Sequence, residues 1–127
     1  MEPTSSERPH NPGLVRVARR AMFPTEAHDL LESLREIVCE PARTKIIRAL
    51  MVVAELTVGD LAKVIDRHRS STSDHLRILR ELSVVRSRRR GRLIYNALGD
   101  GPEAGAARQI VGTIAEIAAE ASPAGPR

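Results

Sequence analysis

The 127-residue chain is 42% hydrophobic but only 2% aromatic, carries a net charge of +4 and holds a single cysteine. Such a length suits one compact domain with a thin core of Leu, Ile, Val and Ala, which favours help from a second subunit. One cysteine excludes an internal disulfide and any cysteine-cluster metal site within a chain, and no apolar run reaches the length of a membrane helix. The opening MEPTSSERPHNPG has no apolar stretch of the signal-peptide kind, so a cytoplasmic protein is expected.

Residues 1–13, with three prolines and a glycine, read as a disordered tail. LVRVARRAMF, 14–23, has the makings of a short helix with Arg16, Arg19 and Arg20 on its polar side, and Pro24 punctuates the chain after it. From Thr25 to Val38, Leu30, Leu34 and Ile37 recur at helical spacing. Cys39 falls beside these apolar positions and reads as a small packed hydrophobe rather than a redox group. Pro41 suits the first turn of a helix over 41–53, with Ile46, Ile47, Leu50 and Val53 on one side. In ELTVGDLAKVI, Thr57 caps a third helix with Asp60 three residues on.

Stepped at about 100° per residue, the helix at 69–82 divides into two faces. Thr72, His75, Leu76, Ile78, Leu79 and Leu82 form a packing arc, with His75 read as a satisfied, at least half-buried histidine. Ser70, Ser73, Asp74, Arg77, Arg80 and Glu81 form a polar arc. Then Val84 and Val85, an arginine-rich tip with Gly91, and LIYNAL read as a β-hairpin. After the GDGP break at 99–102, Ile110, Ile114, Ile117 and Ala121 mark one stripe of a last helix, and 122–127 reads as a second tail.

Charge is distributed unevenly along these elements. Residues 67–92 hold nine arginines against Asp74 and Glu81, a net +7, while the rest of the chain is net negative. A short basic segment in an otherwise mildly acidic chain points to a polyanionic partner. Two helices joined by a tight turn form a helix-turn-helix, whose second helix can enter the major groove of DNA. There Arg77 can donate to guanine O6 and N7, Asp74 can accept from cytosine N4, and Ser70 and Ser73 can serve bases or phosphates. Arg69 and the hairpin arginines Arg88, Arg89, Arg90 and Arg92 would reach phosphates or the minor groove. An acidic protein or RNA is the alternative partner for the same basic surface.

From Leu34 to Leu98 the sequence resembles the ArsR/SmtB family of winged-helix repressors, through EPARTKIIRAL, ELTVGDLAKVI and SSTSDHLRILRELSVVRSRRRGRLIYNAL, the last containing S-x-x-S-x-H-L-x-x-L. The resemblance implies a mainly α, dimeric winged helix-turn-helix with a small β-hairpin. It implies a homodimer paired through its first and last helices that binds a promoter palindrome and is released by an inducer. Leu30, Leu34, Ile110, Ile114 and Ile117 are the expected dimerisation residues. The expected domain runs over 14–121, divided into an N-terminal helical region at 14–38, a helix-turn-helix with wing at 41–98 and a dimerisation helix at 102–121.

Family metal sensors carry ELCVCDL where this chain has ELTVGDL, with Thr57 and Gly59 in place of the cysteines. The zinc site of other members keeps only its carboxylate positions, Asp100 and Glu116, while Pro102 and Thr113 stand where histidines are found. Carboxylates without imidazole or thiolate hold transition metals poorly. No metal, cofactor or catalytic residue is therefore expected, and the inducer is expected to be an unidentified small molecule or oxidant. Arg67, His68 and Arg69 depart from the apolar residue and small cap usual at that turn. No Gly-rich phosphate loop or nucleophile–base pair argues for an enzyme.

Overall fold

A computed structural model describes residues 7–122. In chain order these form α1 (Pro12–Arg20), α2 (Ala27–Val38), α3 (Pro41–Val52), β1 (Leu56–Thr57), α4 (Val58–Ile65), α5 (Arg69–Glu81), β2 (Val85–Arg90), β3 (Leu93–Leu98) and α6 (Pro102–Ala121). Of the expected tails at 1–13 and 122–127, residues 1–6 and 123–127 lie outside the described residues, while Pro12 and Gly13 of the first are helical rather than disordered. No helix among the described residues is long and apolar enough to cross a membrane.

Local chemistry sets most element ends. Helix α1 starts two residues earlier than expected because Asn11 caps it, its side chain accepting from the Leu14 amide at 3.1 Å with Pro12 in the first turn. It also stops earlier, at Arg20, ahead of Phe23, which Pro24 biases away from helical backbone. Glu40 and Pro41 start α3 in the same way. Thr57 Oγ1 accepts from the Asp60 amide at 3.2 Å and opens α4, as the sequence indicates.

Two helices end on left-handed residues that are not glycine. At the end of α5, Ser83 adopts φ +65°, its N–H donates to the Arg80 carbonyl and the Val84 N–H donates to that of Leu79. At the end of α4, Asp66 at φ +58° does the same with Lys63 and Ala62. This closing motif favours glycine at the left-handed position. Ser83→Gly is therefore expected to stabilise the fold by about 0.5–1 kcal/mol, read as a raised urea midpoint with unchanged slope. An unchanged or lowered midpoint would show that Ser83 is unstrained.

The core gathers Ile37 from α2, Ile46, Ile47 and Leu50 from α3, Leu61 and Ile65 from α4, Leu76 and Leu79 from α5, Val84, Val85 and Leu98 from the hairpin, and Ala107 and Val111 from α6. These are aliphatic residues, as the composition requires. The sheet has three strands in the order β1-β3-β2, all antiparallel, rather than the two of a simple hairpin. Two residues, Leu56 and Thr57, form the added strand opposite Asn96 and Tyr95, too short a run for a sequence pattern. At the hairpin tip Gly91 takes φ +66° and Arg92 does not share it, the φ pattern of a type II′ turn.

Cys39 corrects an expectation: it is exposed. The helix ends at Val38, and Cys39, as its C-cap, lies about 200° around from the buried Ile37.

Candidate nucleic-acid interface

Helix α5 is anchored by Thr72, Leu76 and Leu79, all buried. Its outer edge leaves Arg69, Ser70, Ser73, Asp74 and Arg77 exposed, as the two-face reading requires. The connection to α4 is only Asp66, Arg67 and His68. The His68 carbonyl is occupied by the hydroxyls of Ser71 (3.1 Å) and Thr72 (2.9 Å), whereas among the described residues the Ser70 and Ser73 hydroxyls have no protein partner. Arg77 pairs with Glu81 one turn on, at 3.3 Å, across an exposed surface where the pair is weakly held. The Arg69 guanidinium lies beside Gly59 at the start of α4.

Strand alternation sorts the hairpin arginines onto two faces. Val85, Ser87 and Arg89 point to the α5 side, where Val85 is buried and Ser87 meets both α5 and the buried Asn96. Arg86, Arg88 and Arg90 point to the outer side. There Arg86 pairs with Asp100 at 2.9 Å, and Glu55 binds Arg88 at 3.1 Å and Arg90 at 3.2 Å. The Arg90 guanidinium also stacks 4.2 Å from the centre of the Tyr95 ring. Among the described residues Arg69, Arg89 and Arg92 form no ion pair. The arginine cluster is thus divided: Arg89 lies on the α5 side, Arg92 is in the turn, and Arg88 and Arg90 are held behind the sheet.

A polar chain ties wing to helix. Arg80 donates to Ser87 Oγ at 3.3 Å, Ser87 Oγ donates to Asn96 Oδ1 at 2.7 Å, and Asn96 Nδ2 donates to the Leu56 carbonyl at 3.1 Å. A second anchor lies behind α5. Arg43 donates to the Glu36 carbonyl at 2.7 Å, to the Glu36 carboxylate at 3.1 Å and to His75 Nδ1 at 3.3 Å. His75 is half-buried and satisfied, as expected, accepting the Arg43 hydrogen bond at Nδ1. Sequence reasoning missed Arg43, Glu55 and Asn96, whose partners lie 32, 35 and 40 residues away along the chain. Away from the interface, the hydrogen bond from Arg35 and its charge hold the exposed Glu32 carboxyl below the usual range.

The expected dimerisation residues do not share one environment. Leu34 is half-buried and packs on the protomer's own core, and Ile110 is half-buried. Leu30, Ile114 and Ile117 are exposed, and α1 buries no residue, leaving Leu14 and Val17 in the open. Asp100, which the resemblance sets at a carboxylate position of a zinc site, is engaged by Arg86.

Residues 40–87 match the family described as bacterial regulatory protein, arsR family. The cadmium resistance transcriptional regulatory protein CadC of Listeria innocua is 42% identical over 60 residues, which are 47% of this chain and 50% of that protein. The chain spans about half the length of the CadC relatives it matches. The transcriptional repressor SdpR of Bacillus subtilis is 31% identical over 68 residues, 54% of this chain and 74% of SdpR. The crystal structure of the transcriptional repressor BigR from Xylella fastidiosa superposes with a TM-score of 0.58 at 28% identity, covering 82% of this chain and 94% of BigR. With its helix-turn-helix, three-stranded wing and these relatives, the chain belongs to the ArsR family of bacterial regulatory proteins.

Proposed function

We propose that the protein is a sequence-specific DNA-binding transcriptional repressor, cytoplasmic and without enzymatic activity. It acts as a homodimer of a winged-helix domain over 14–121 that leaves its operator when an inducer binds. The observation that carries this reading is the exposed edge of α5, with Ser70, Ser73, Asp74 and Arg77 on the same side of the molecule as Arg89 of the wing. In a duplex complex α5 lies in the major groove and its exposed edge from Ser70 to Arg77 reads base edges, while Arg69, Arg89 and Arg92 meet phosphates. The exposed apolar residues of α1, α2 and α6 support pairing through the first and last helices. Thr57, Gly59, Pro102 and Thr113 remove the thiolates and imidazoles of the family's metal sites, which favours an inducer of another kind.

The test is a gel shift with the duplex upstream of the protein's own coding sequence against a random duplex of equal length. Tight, salt-sensitive retention of the first is expected, and equal retention of both, or preference for RNA or an acidic protein, would contradict the reading. Within the complex, Arg77→Ala is expected to relax preference at one base pair and lower operator binding by about 1–3 kcal/mol. Arg89→Ala is expected to weaken all sequences alike and to reduce the slope of log K against log salt by about one. Identical effects of the two substitutions on operator and random DNA would remove Arg77 from base reading.

A further inference from the structure

Glu55 sits in the short segment between α3 and β1, and both of its carboxylate oxygens are used: Oε2 on Arg88 and Oε1 on Arg90. Two guanidiniums around one anionic group is also how proteins grip a phosphate. We propose that Glu55 is a built-in competitor for the DNA backbone, a latch that holds Arg88 and Arg90 behind the wing until phosphates take them over. This inference rests on the DNA-binding reading above.

Several observations converge on the latch. Arg88 and Arg90 lie on the outer face of β2, opposite the face that meets α5, so in the latched arrangement they add little to the surface presented by the recognition helix. Tyr95, the cross-strand partner of Arg88, lies under the Arg90 guanidinium and fixes its plane toward Glu55. Both arginine side chains are more than half exposed, so the pairs are weak and screened by salt, and an array of phosphates can compete for them. A cavity of about 380 Å³ lined by Glu55, Arg86, Arg88 and Tyr95 gives the side chains room to swing. Glu55 also leads directly into Leu56 and Thr57, which pair with β3 and cap α4, so the latch joins the wing to the first residues of the helix-turn-helix.

With the latch closed, two of the four tip arginines are held by one carboxylate, which offsets one of their two charges. With it open, each can displace a counterion from the duplex, contributing about −0.9 to the salt slope. Glu55→Gln keeps the shape and removes the charge. It is expected to bind the upstream duplex on the order of three- to tenfold more tightly at low salt, with a slope steeper by about one to two units. Alanine at both Arg88 and Arg90 is expected to cost more affinity in the Glu55→Gln background than in the wild type, whereas Arg89→Ala costs the same in both.

Fluorescence anisotropy across a salt series provides these values. Weaker binding by Glu55→Gln, an unchanged slope, or an additive cycle would overturn the latch. Should Glu55→Gln fail to fold, the ¹³C shift of the Glu55 carboxylate in the wild-type protein provides a second measurement. Movement on duplex addition supports release of the arginines, and an unmoved signal overturns it. Absence of any duplex binding by the wild type would instead remove the DNA-binding reading, and the latch with it.

Discussion

Aspartate at both Ile114 and Ile117 is expected to turn the protein into a folded monomer whose operator affinity falls by about 10²- to 10⁴-fold, the range set by losing one of two linked half-site contacts. The two isoleucines are 46% and 60% exposed on α6, while the inward stripe of the same helix is Ala104, Ala107 and Val111. The substitutions therefore spare the protomer's own core. In a two-fold interface each side chain counts twice. Full burial of an exposed isoleucine is worth about 1.5–3 kcal/mol. With roughly half of each side chain still exposed in the protomer, four of them provide on the order of 3–6 kcal/mol before association entropy is subtracted. Four buried carboxylates in their place cannot be tolerated. Sedimentation velocity, with anisotropy on the upstream duplex, checks both parts. A variant that remains dimeric, or a monomer that binds as tightly as the wild type, would refute the assignment of α6 to the dimer seam.

The second large effect is expected at Asn96, which is 2% exposed and joins three elements. Its amide donates to the Leu56 carbonyl of β1, and its Oδ1 accepts from Ser87, which in turn accepts from Arg80 of α5. Asn96→Ala leaves the Ser87 hydroxyl and the Leu56 carbonyl without these partners and opens a small void beside the sheet. A loss of about 2–4 kcal/mol in unfolding free energy is expected. Because the same network sets the angle between wing and recognition helix, operator binding is expected to weaken even where the variant is fully folded. Urea denaturation and anisotropy at a temperature well below the melting transition separate the two effects. A loss under 1 kcal/mol with unaltered DNA affinity would show that strand pairing alone fixes the wing.

The helices and the two faces of α5 are legible in the sequence because both arise from local rules. Helical spacing sorts Thr72, Leu76 and Leu79 from Ser73, Asp74 and Arg77, and Thr57 announces α4 by its hydroxyl and its distance from Asp60. The cap that starts α1, Asn11 ahead of Pro12, is equally local, but in a stretch with three prolines it reads as part of a tail. What stayed hidden is non-local. A two-residue strand such as β1 exists only because β3 is there to pair with it. The arginine run showed its charge but not its division, since alternation separates Arg89 from Arg88 and Arg90, and only the folded chain brings Glu55 beside that outer face. Cys39 departs from its expected packing for a simpler reason: apolar neighbours along the chain are not neighbours around the helix, and the terminus turns the cysteine outward.

The proposed function requires the exposed edge of α5 and the wing to read one duplex, twice, across a two-fold axis. Hydroxyl-radical footprinting of the wild-type protein on the DNA upstream of its coding sequence measures this directly. The expected result is protection in two pseudo-symmetric patches whose centres lie about 10–10.5 base pairs apart or a multiple of that, with base preference within each patch relaxed by Arg77→Ala. A single unsymmetric patch, or protection that Arg77→Ala and Arg89→Ala leave untouched, would contradict it.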